Sequence, residues 1–524
     1  MTRWFNTAGP CLPGYHYMIP AIERLPEARG LLDQMGYFVV HAPRQTGKTT
    51  SLMALARELT AEGRFAALHF SCEEGGSVGD DYGAAQRALL GAMFRSAELA
   101  LPPELRPPPV ALEGDEGLLS TVLSAWSRAC PRPLVLIFDE IDALLGASLV
   151  NVLRQLRAGY SARPGDFPWS VILCGLRDVR DYKAASGGEP TRLGSSSPFN
   201  IKLASLRLGD FTPEEIRALY AQHTADTGQA FTEEAIAAAA HVTGGQPWLV
   251  NALAHEIVDR MSVPREEPIT AAHVDRAKER LILARQTHLD SLVHKLREPR
   301  VRSVIEPMIA GSVKVSDDIY NDDVAYVRDL GLIAGDRPLR IANPIYREVI
   351  VRVLGDSMEE RVTAEPARFV LADGRLAFRK MLRAFAAFWR EHGEVLVSGV
   401  PYSEVAPQIV LMAFMQRVVN GGGYIDREYG IGRGRIDLLI RYPYRKADGT
   451  QAVQRRALEI KVWRAGQANP LKKGLEQLDD HLARLGLSRG TLVIFDARGK
   501  VARKAARFEE MRARSGRRVR VMWL

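Results

Sequence analysis

Two groups of residues, near opposite ends of the chain, have the types and spacing that phosphate chemistry requires. Near the start, the run from Ala42 to Thr49 reads APRQTGKT, which is the pattern of a phosphate-binding loop that ends in Gly, Lys and Thr. Near the end, Asp437 is followed by Glu459 and Lys461, two carboxylates and an amine. The first group predicts binding of a nucleoside triphosphate, and the second predicts metal-dependent cleavage of phosphodiesters.

The first group predicts a site for ATP and Mg²⁺. Backbone N–H groups at the start of a helix hold phosphate oxygens, so Lys48 is expected to contact the β- and γ-phosphates and the Thr49 hydroxyl to bind Mg²⁺. Gly47 allows close approach of the backbone, and Ala42 replaces the usual first glycine. The predicted nucleotide-binding residues of the loop are Ala42, Pro43, Arg44, Gln45, Thr46, Gly47, Lys48, Thr49 and Thr50.

A second apolar run, PLVLIF, ends in Asp139 and Glu140. We expect Asp139 to hold Mg²⁺ directly or through water, and Glu140 to orient and deprotonate the attacking water. Arg177 follows the next apolar run and is a candidate sensor of the γ-phosphate, while Arg154 and Arg157 are candidates for reaching a neighbouring subunit. Salt bridges are an equally good interpretation of these three arginines.

The second group predicts a divalent-metal site on two strands. Alternation along the run ALEIKV places Glu459 and Lys461 on one face. A hairpin signal at Asp448 and Gly449 precedes this run, so the earlier strand containing Asp437 is expected to bring it beside Glu459. Adjacent carboxylates bind Mg²⁺, and Lys461 is expected to position or activate water. An ion pair at a sheet edge is the alternative interpretation.

The apolar runs and the helical pattern around the phosphate-binding loop predict an α/β fold. Apolar runs at 36–42, 133–138 and 171–174 are predicted strands of a parallel sheet that helices cover on both faces. A helix is predicted over 49–61, directly after the loop. We therefore predict a P-loop ATPase core over residues 1–210.

Four further segments are predicted after this core. Thr212, Pro213 and Glu215 have the spacing of a capped helix start. This start opens a predicted helical lid, and the next segment alternates helix and strand patterns as a winged helix does. The predicted boundaries are 211–285 for the lid, 286–355 for the winged-helix-like unit, 356–395 for a helical connector and 396–524 for a strand-rich α/β domain.

The run GGQPW around Pro247, together with the winged-helix pattern, resembles the GxP element of the STAND and origin-recognition branch of AAA+ ATPases. The resemblance covers about residues 5–355, and the opening FNTAGP with the loop HAPRQTGKT looks like a bacterial AAA-like subgroup of ATP-binding proteins. It implies that Pro247 contacts the nucleotide and couples it to domain rearrangement, and that the chain can act as a homo-oligomer. A helix C-cap is another interpretation of the two glycines.

The C-terminal part resembles the PD-(D/E)xK nuclease superfamily, and this implies a restriction-endonuclease-like domain. The family core is a helix, three strands, a helix and a strand. The resemblance implies that Glu404 joins the metal shell and that Gln477 belongs to a QxxxY element, where this chain has His481 in place of the tyrosine. The matching elements are predicted at Glu404–Asn420, around Asp437, around Glu459, from about Leu471 and at Thr491–Phe495.

The charge of the chain is unevenly distributed. The net charge is +8, and residues 396–524 hold 25 Lys and Arg against 12 Asp and Glu, so the basic excess lies in the C-terminal segment. Clustered cations bind phosphate backbones and release condensed counterions. This predicts a nucleic acid partner, DNA, for the C-terminal domain; a solvated basic surface is the alternative.

Composition limits the class of protein. With 524 residues, 46% of them hydrophobic, the chain is expected to form three or four globular domains. No apolar stretch approaches the roughly 20 residues needed to span a bilayer, and the first residues do not resemble a signal peptide, so we expect a cytoplasmic protein without a membrane partner. The four scattered cysteines are expected to be inert thiols.

The two signatures together predict an ATP-dependent nuclease, in which ATP binding and hydrolysis control Mg²⁺-dependent cleavage of nucleic acid. Two alternatives remain open. In one, the chain is a STAND-like regulatory ATPase whose C-terminal domain binds nucleic acid without cutting it. In the other, the P-loop domain is a tight ATP sensor with negligible turnover, an interpretation that Glu140 disfavours.

Overall fold

A computed structural model describes the chain as two compact units, Met1–Leu281 with Arg328–Leu332, and Ile282–Val327 with Ile333–Leu524. Within the described residues, no helix is long and apolar enough to cross a membrane. The described residues are 3–111, 114, 116–177, 199–284, 287–310, 321–335, 339–350, 366–398, 406–419, 423–431, 434–464, 466–498 and 506–524.

The first unit is built on a parallel five-stranded sheet, with strand order β4-β5-β6-β3-β7. A separate parallel pair, β1 and β2, lies near the N-terminus. The strands are β1 (Trp4–Phe5), β2 (His16–Tyr17), β3 (Tyr37–His41), β4 (Ala66–Ser71), β5 (Leu134–Asp139), β6 (Ser170–Gly175) and β7 (Lys202–Arg207). The helices up to residue 283 are α1 (Ala28–Asp33), α2 (Lys48–Ala61), α3 (Tyr82–Ala100), α4 (Leu118–Ala129), α5 (Gly146–Ala158), α6 (Pro213–Thr227), α7 (Glu233–Thr243), α8 (Pro247–His255) and α9 (Ala271–Leu283).

Helices cover both faces of this sheet, and this confirms the predicted α/β arrangement. On one face, apolar residues of α3, α4 and α5 pack against the strands, with Leu89 and Leu153 among them. On the other face, α1 and α2 contribute Leu32 and Leu55. Strand β5 is buried along its whole length, as expected for a central strand of a parallel sheet.

The first helix of the predicted lid, α6, begins as the sequence predicts. Thr212 Oγ1 accepts a hydrogen bond from the backbone N–H of Glu215 at 3.2 Å, and Glu215 Oε2 accepts one from the backbone N–H of Thr212 at 2.7 Å. This reciprocal pair is the predicted capping box. Helix α7 ends at Gly244 in the left-handed region, so the C-cap interpretation of this glycine is confirmed.

The second unit combines helices with a six-stranded mixed sheet, with strand order β12-β13-β11-β10-β9-β8. Residues 344–350 are also helical. The other helices are α10 (Thr287–Lys295), α11 (Pro299–Ala310), α12 (Asp322–Asp329), α13 (Phe378–Ser398), α14 (Ala406–Val419) and α15 (Leu471–Leu485). The strands are β8 (Tyr424–Ile431), β9 (Gly434–Arg445), β10 (Gln451–Arg464), β11 (Arg489–Ala497), β12 (Arg507–Arg512) and β13 (Arg518–Trp523).

The mixed sheet has helices on its two faces. On one face, Leu478 and Leu482 of α15 pack against residues such as Ala457 and Leu492. On the other face, Trp389 of α13 contacts the ring of Phe495, with ring centroids 4.9 Å apart. The order helix α14, strands β8 to β10, helix α15 and strand β11 agrees with the predicted order. Strands β12 and β13 were not predicted.

The segment with the winged-helix pattern is described in part. Helix α12 covers the predicted helix, and an isolated antiparallel bridge joins Ile333 and Ile341 where a wing was expected. Residues 336–338, in the predicted turn, 351–355, at the end of the predicted unit, and 356–365, in the predicted connector, lie outside the described residues. The winged-helix interpretation stays a prediction.

Candidate functional sites

The predicted phosphate-binding loop lies between β3 and α2, in the position that its chemistry requires. Gly47 has φ 90°, in the left-handed region that glycine adopts most readily. Lys48 Nζ donates hydrogen bonds to the backbone carbonyls of Ala42 at 2.7 Å and Pro43 at 2.8 Å. Burial lowers the pKa of Lys48, and the negative charges of Asp139 and Asp142 act against this shift.

Asp139 lies at the end of β5 and contacts Thr49, the last residue of the predicted loop. Its Oδ2 accepts hydrogen bonds from Thr49 Oγ1 at 2.7 Å, and it lies 2.9 Å from His69 Nε2. Burial raises the pKa of this carboxyl, but hydrogen bonds from His69, Cys174 and Thr49 outweigh it and lower the pKa of Asp139 to about 2. The carboxylate and the Thr49 hydroxyl are hard oxygen donors, which fit Mg²⁺.

Glu140 is held by a residue that the sequence analysis missed. Ser71, at the end of β4, donates a hydrogen bond from Oγ to Glu140 Oε2 at 2.7 Å. Glu140 itself has φ 56°, a left-handed conformation that is uncommon outside glycine. His69, on the same strand as Ser71, was also missed. Both residues lie at the carboxyl end of β4, beside β5, and this strand order could not be read from the sequence.

A cleft of about 630 Å³ brings most of the predicted ATP-site residues together. Asp142, His69 and Ser71 also line the cleft. Burial raises the pKa of Asp142. Arg177 follows Leu176 of the cleft wall but does not itself line the cleft in the described part of the chain. The predicted residues that line the cleft are Arg44, Gln45, Gly47, Lys48, Thr49, Thr50, Asp139 and Glu140.

A smaller cavity of about 110 Å³ adjoins the cleft and shares Gln45, Gly47 and Thr50 with it. Pro247 lines this cavity, together with Trp248 and the segment Asn6–Gly9. The Trp248 indole N–H donates to the carbonyl of Thr7 at 2.8 Å, and the neighbouring Gln246 amide donates to the carbonyl of Gln45 at 3.3 Å. The predicted proline element therefore contacts the phosphate-binding loop through the Gln246 side chain.

Arg24 is a further loop contact that the sequence analysis missed. Its guanidinium donates to the carbonyl of Thr46 at 2.6 Å. Burial lowers the pKa of Arg24, while Glu215 and Asp210 act against that shift. Arg24 lines the smaller cavity, so it joins the loop to the cavity wall.

The second candidate site lies on neighbouring antiparallel strands of the mixed sheet. Asp437 is on β9 and Glu459 on β10, next to the paired residues Leu438 and Leu458. Asp437 Oδ2 accepts a hydrogen bond from the backbone N–H of Ile460 at 2.7 Å. Lys461 Nζ donates to Glu459 Oε1 at 2.7 Å, so these two side chains share one face as predicted.

Helix α15 adds His481 to this site and carries the predicted Gln477 one turn earlier. His481 Nδ1 lies 3.3 Å from Glu459 Oε2, and both residues are buried. Several buried polar atoms of the described residues make no hydrogen bond, and three of them belong to Glu459 (Oε2), Gln477 (Oε1) and His481 (Nδ1). Buried polar atoms without partners are rare, since each costs free energy, and oxygens of this kind fit a cation.

The metal-ligand set of the second site is small. Within the described residues, no group of three or more His, Cys, Asp and Glu side chains is placed to hold a metal ion. Glu404, the remaining predicted member, lies outside the described residues. Asp437 and Glu459 are therefore the carboxylates that could bind a cation here.

Comparisons with known proteins agree with the geometry of the first site. A family model described as an AAA domain matches residues 32–182. That range contains the phosphate-binding loop, Asp139 and Glu140. The family match and the loop geometry agree, and together they support the class of P-loop ATPases for this part of the chain. No curated protein matches the chain.

Solved structures similar to this chain have low sequence identity to it. The Walker-type ATPase PABY2304 of Pyrococcus abyssi has 12% identity and a TM-score of 0.48, with 66% of this chain and 99% of that chain covered. The RuvB Holliday junction branch migration motor of Thermotoga maritima has 15% identity, a TM-score of 0.33, and coverage of 63% and 92%. Cdc6p of Pyrobaculum aerophilum has 16% identity, a TM-score of 0.36, and coverage of 66% and 97%.

Proposed function

We propose that the protein is an ATP-dependent nuclease, in which ATP binding and hydrolysis at the AAA domain control phosphodiester cleavage at the mixed sheet. The observation that carries the proposal is the convergence of Asp437, Glu459 and Lys461 on neighbouring strands. The same chain holds an ATPase site, so the two chemistries can be coupled. DNA is the proposed substrate because the basic excess lies in the C-terminal segment.

In the proposed ATPase step, the loop N–H groups and Lys48 hold the β- and γ-phosphates. Thr49 and Asp139 would hold Mg²⁺, which neutralises charge that develops on the phosphates. Glu140 accepts a proton from the attacking water. The smaller cavity, with Pro247 in its wall, is the proposed contact between the rest of the nucleotide and the lid.

In the proposed cleavage step, Asp437 and Glu459 would hold a divalent cation, which supplies Lewis-acid stabilisation of the scissile phosphate. Lys461 orients the attacking water and offsets negative charge on the phosphate. His481, from α15, positions the Glu459 carboxylate. The order of α14, β8 to β11 and α15 supports assignment to the PD-(D/E)xK superfamily.

The test is cleavage of single- and double-stranded DNA and RNA with Mg²⁺, with and without ATP. Wild type is compared with Lys48→Ala and Glu459→Ala, and ATP hydrolysis is measured in parallel. We expect Glu459→Ala to abolish cleavage while ATP hydrolysis persists, and Lys48→Ala to change the dependence of cleavage on ATP. Cleavage that survives Glu459→Ala would refute the assigned site.

A second candidate function is a STAND-like regulatory ATPase that binds nucleic acid without cutting it. The contacts of Glu459 favour this candidate, because Oε1 is bonded to Lys461 and Oε2 lies beside His481. Among the described residues, the cation would also have only two carboxylate ligands. Nucleic acid binding and ATP hydrolysis without any cleavage, with Mg²⁺ or Mn²⁺, would identify this function.

A further inference from the structure

Four arginines lie side by side across four neighbouring strands of the mixed sheet. The strand register pairs Arg512 of β12 with Arg518 of β13, and Arg518 with Arg489 of β11. Arg456 of β10 lies beside Arg489, because the pairing of these two strands begins two residues further along each. Neighbouring strands are about 4.8 Å apart, so this arginine row extends over roughly 14 Å.

The arginine row lies on the face of the sheet away from α15, at the end of β11 opposite to Phe495, which Trp389 of α13 contacts on the same face. Residues adjacent to the row, with opposite orientation along their strands, pack into the core under that helix; they include Ala457, Met511 and Val519. Glu459 shares the orientation of Ala457 and contacts His481 of α15. The arginine row and the candidate cleavage site therefore occupy opposite faces of the same sheet.

The charge of the arginine row is not neutralised by the part of the chain that the structure describes. Among the described residues, no member of the row forms an ion pair with Asp or Glu. The nearby arginines differ, since Arg520 donates to Glu510 at 2.7 Å and Arg375 donates to Asp373 at 2.7 Å. Burial lowers the pKa of Arg456, and repulsion from Arg489, Arg375 and Arg520 lowers it further.

Like charges directly opposite one another on neighbouring strands destabilise a sheet. An anion that bridges adjacent guanidinium groups would remove this repulsion, and guanidinium groups bind phosphate through two parallel hydrogen bonds. A regular row of such groups suits a ligand with regularly spaced phosphates. The basic excess of residues 396–524 adds a long-range attraction for the same kind of ligand.

We propose that the arginine row is a docking surface for the phosphate backbone of double-stranded nucleic acid, separate from the cleavage site. The inference rests on the proposed function in taking nucleic acid as the ligand, but docking does not require cleavage. A duplex held on this face would be bound apart from Glu459. The chain would thus contact nucleic acid at two places.

The experiment measures binding of a fluorescent 30-base-pair duplex to the full chain by anisotropy, over a series of salt concentrations without divalent cations. The test variant is Arg489→Gln with Arg518→Gln. The matched control is Lys472→Gln with Lys473→Gln, two exposed cations on α15, beyond the opposite face. Circular dichroism melting curves verify that each variant is folded.

We expect the arginine variant to weaken binding at least tenfold and to reduce the slope of log K against log salt by about 2, since each phosphate contact contributes roughly 0.9. The lysine variant should bind like wild type. Equal loss in both variants, or no loss in the arginine variant, overturns the inference, and so does binding of vesicles rich in phosphatidylserine without binding of the duplex. Cleavage is measured on the same samples as a separate experiment. If no cleavage is found, the binding result still tests the docking surface.

Discussion

Ser71 Oγ donates a hydrogen bond to Glu140 Oε2 at 2.7 Å and joins the ends of two neighbouring strands, β4 and β5. The bond directs the proposed catalytic carboxylate toward β4 and occupies one of its oxygens. Ser71 is therefore placed to restrain ATP hydrolysis.

Ser71→Ala should raise the basal kcat for ATP hydrolysis several-fold and leave KM unchanged, because the loss of a hydrogen bond of about 1 kcal/mol frees the Glu140 carboxylate. Steady-state phosphate release measures the effect. Ser71→Thr keeps the hydroxyl and should behave like wild type. A lower kcat in Ser71→Ala would instead mean that Ser71 holds Glu140 in its productive orientation.

Glu140→Gln should bind ATP but hydrolyse it about 10² to 10⁴ times more slowly, since the general base is removed and the phosphate contacts remain. Lys48→Ala should lose ATP binding. Binding is measured with a fluorescent ATP analogue, and hydrolysis by phosphate release. If Glu140→Gln retains wild-type turnover, Glu140 is not the base of the reaction.

Gly245→Ala should destabilise the start of the lid. A Cβ at this position would lie 2.1 Å from the carbonyl oxygen of Phe211, and the residue has φ +81°. Gly228→Ala is the matched control, because its φ is +78° but no heavy atom lies within 4 Å of the added Cβ. The control should lose only the roughly 1–2 kcal/mol of a left-handed alanine, and Gly245→Ala more. Urea unfolding measures both, and equal losses would refute the steric argument.

Because of His288, we expect the free energy of unfolding to fall in mild acid. Burial lowers its pKa from 6.5 to about 4, so the folded protein holds this side chain neutral while the unfolded chain takes up a proton. The contribution of neutral His288 to the free energy of unfolding is fully present above pH 6.5. It is lost as the pH falls toward 4, and the loss is on the order of 3 kcal/mol. His288→Gln should remove this part of the pH dependence in urea unfolding between pH 7 and 4. An unchanged profile would show that His288 is not the responsible group.

Glu459→Gln should remove divalent-cation binding at the second site, and His481→Gln should weaken it about 10- to 100-fold, because a side chain that orients a metal ligand contributes to affinity on that scale. Calorimetric titration with Mn²⁺ in the absence of nucleotide measures the binding. His69→Gln is the control, because it alters a different pair of a histidine and a carboxylate, His69 and Asp139. Identical titrations of wild type and Glu459→Gln would contradict the proposed metal site.

The sequence contained the local features of both sites. A loop between a buried strand and a helix located Lys48 and Thr49, and strand alternation placed Glu459 and Lys461 on one face. The contacts of Ser71 and His69 could not be predicted from the sequence, because they depend on β4 lying next to β5. Strand order is decided by tertiary packing. The arginine row depends in the same way on the register of four strands.

Other features depended on conformation rather than on residue type. The positive φ of Glu140 could not be inferred, because non-glycine residues adopt it only where the surrounding structure imposes it. The side-chain contacts of Gln246 and Trp248 with Gln45 and Thr7 join segments more than 200 residues apart, at a distance that local patterns do not encode.

The central claim is that ATP at the first site controls cleavage at the second. The most direct measurement is the rate of cleavage of supercoiled plasmid by wild type and Glu459→Gln with Mg²⁺, as the ATP concentration is raised from zero. The account predicts cleavage by wild type that rises with ATP at the same half-saturation as ATP hydrolysis, and none by Glu459→Gln. Cleavage independent of ATP, or no cleavage by a wild-type protein that binds plasmid and hydrolyses ATP, would contradict it.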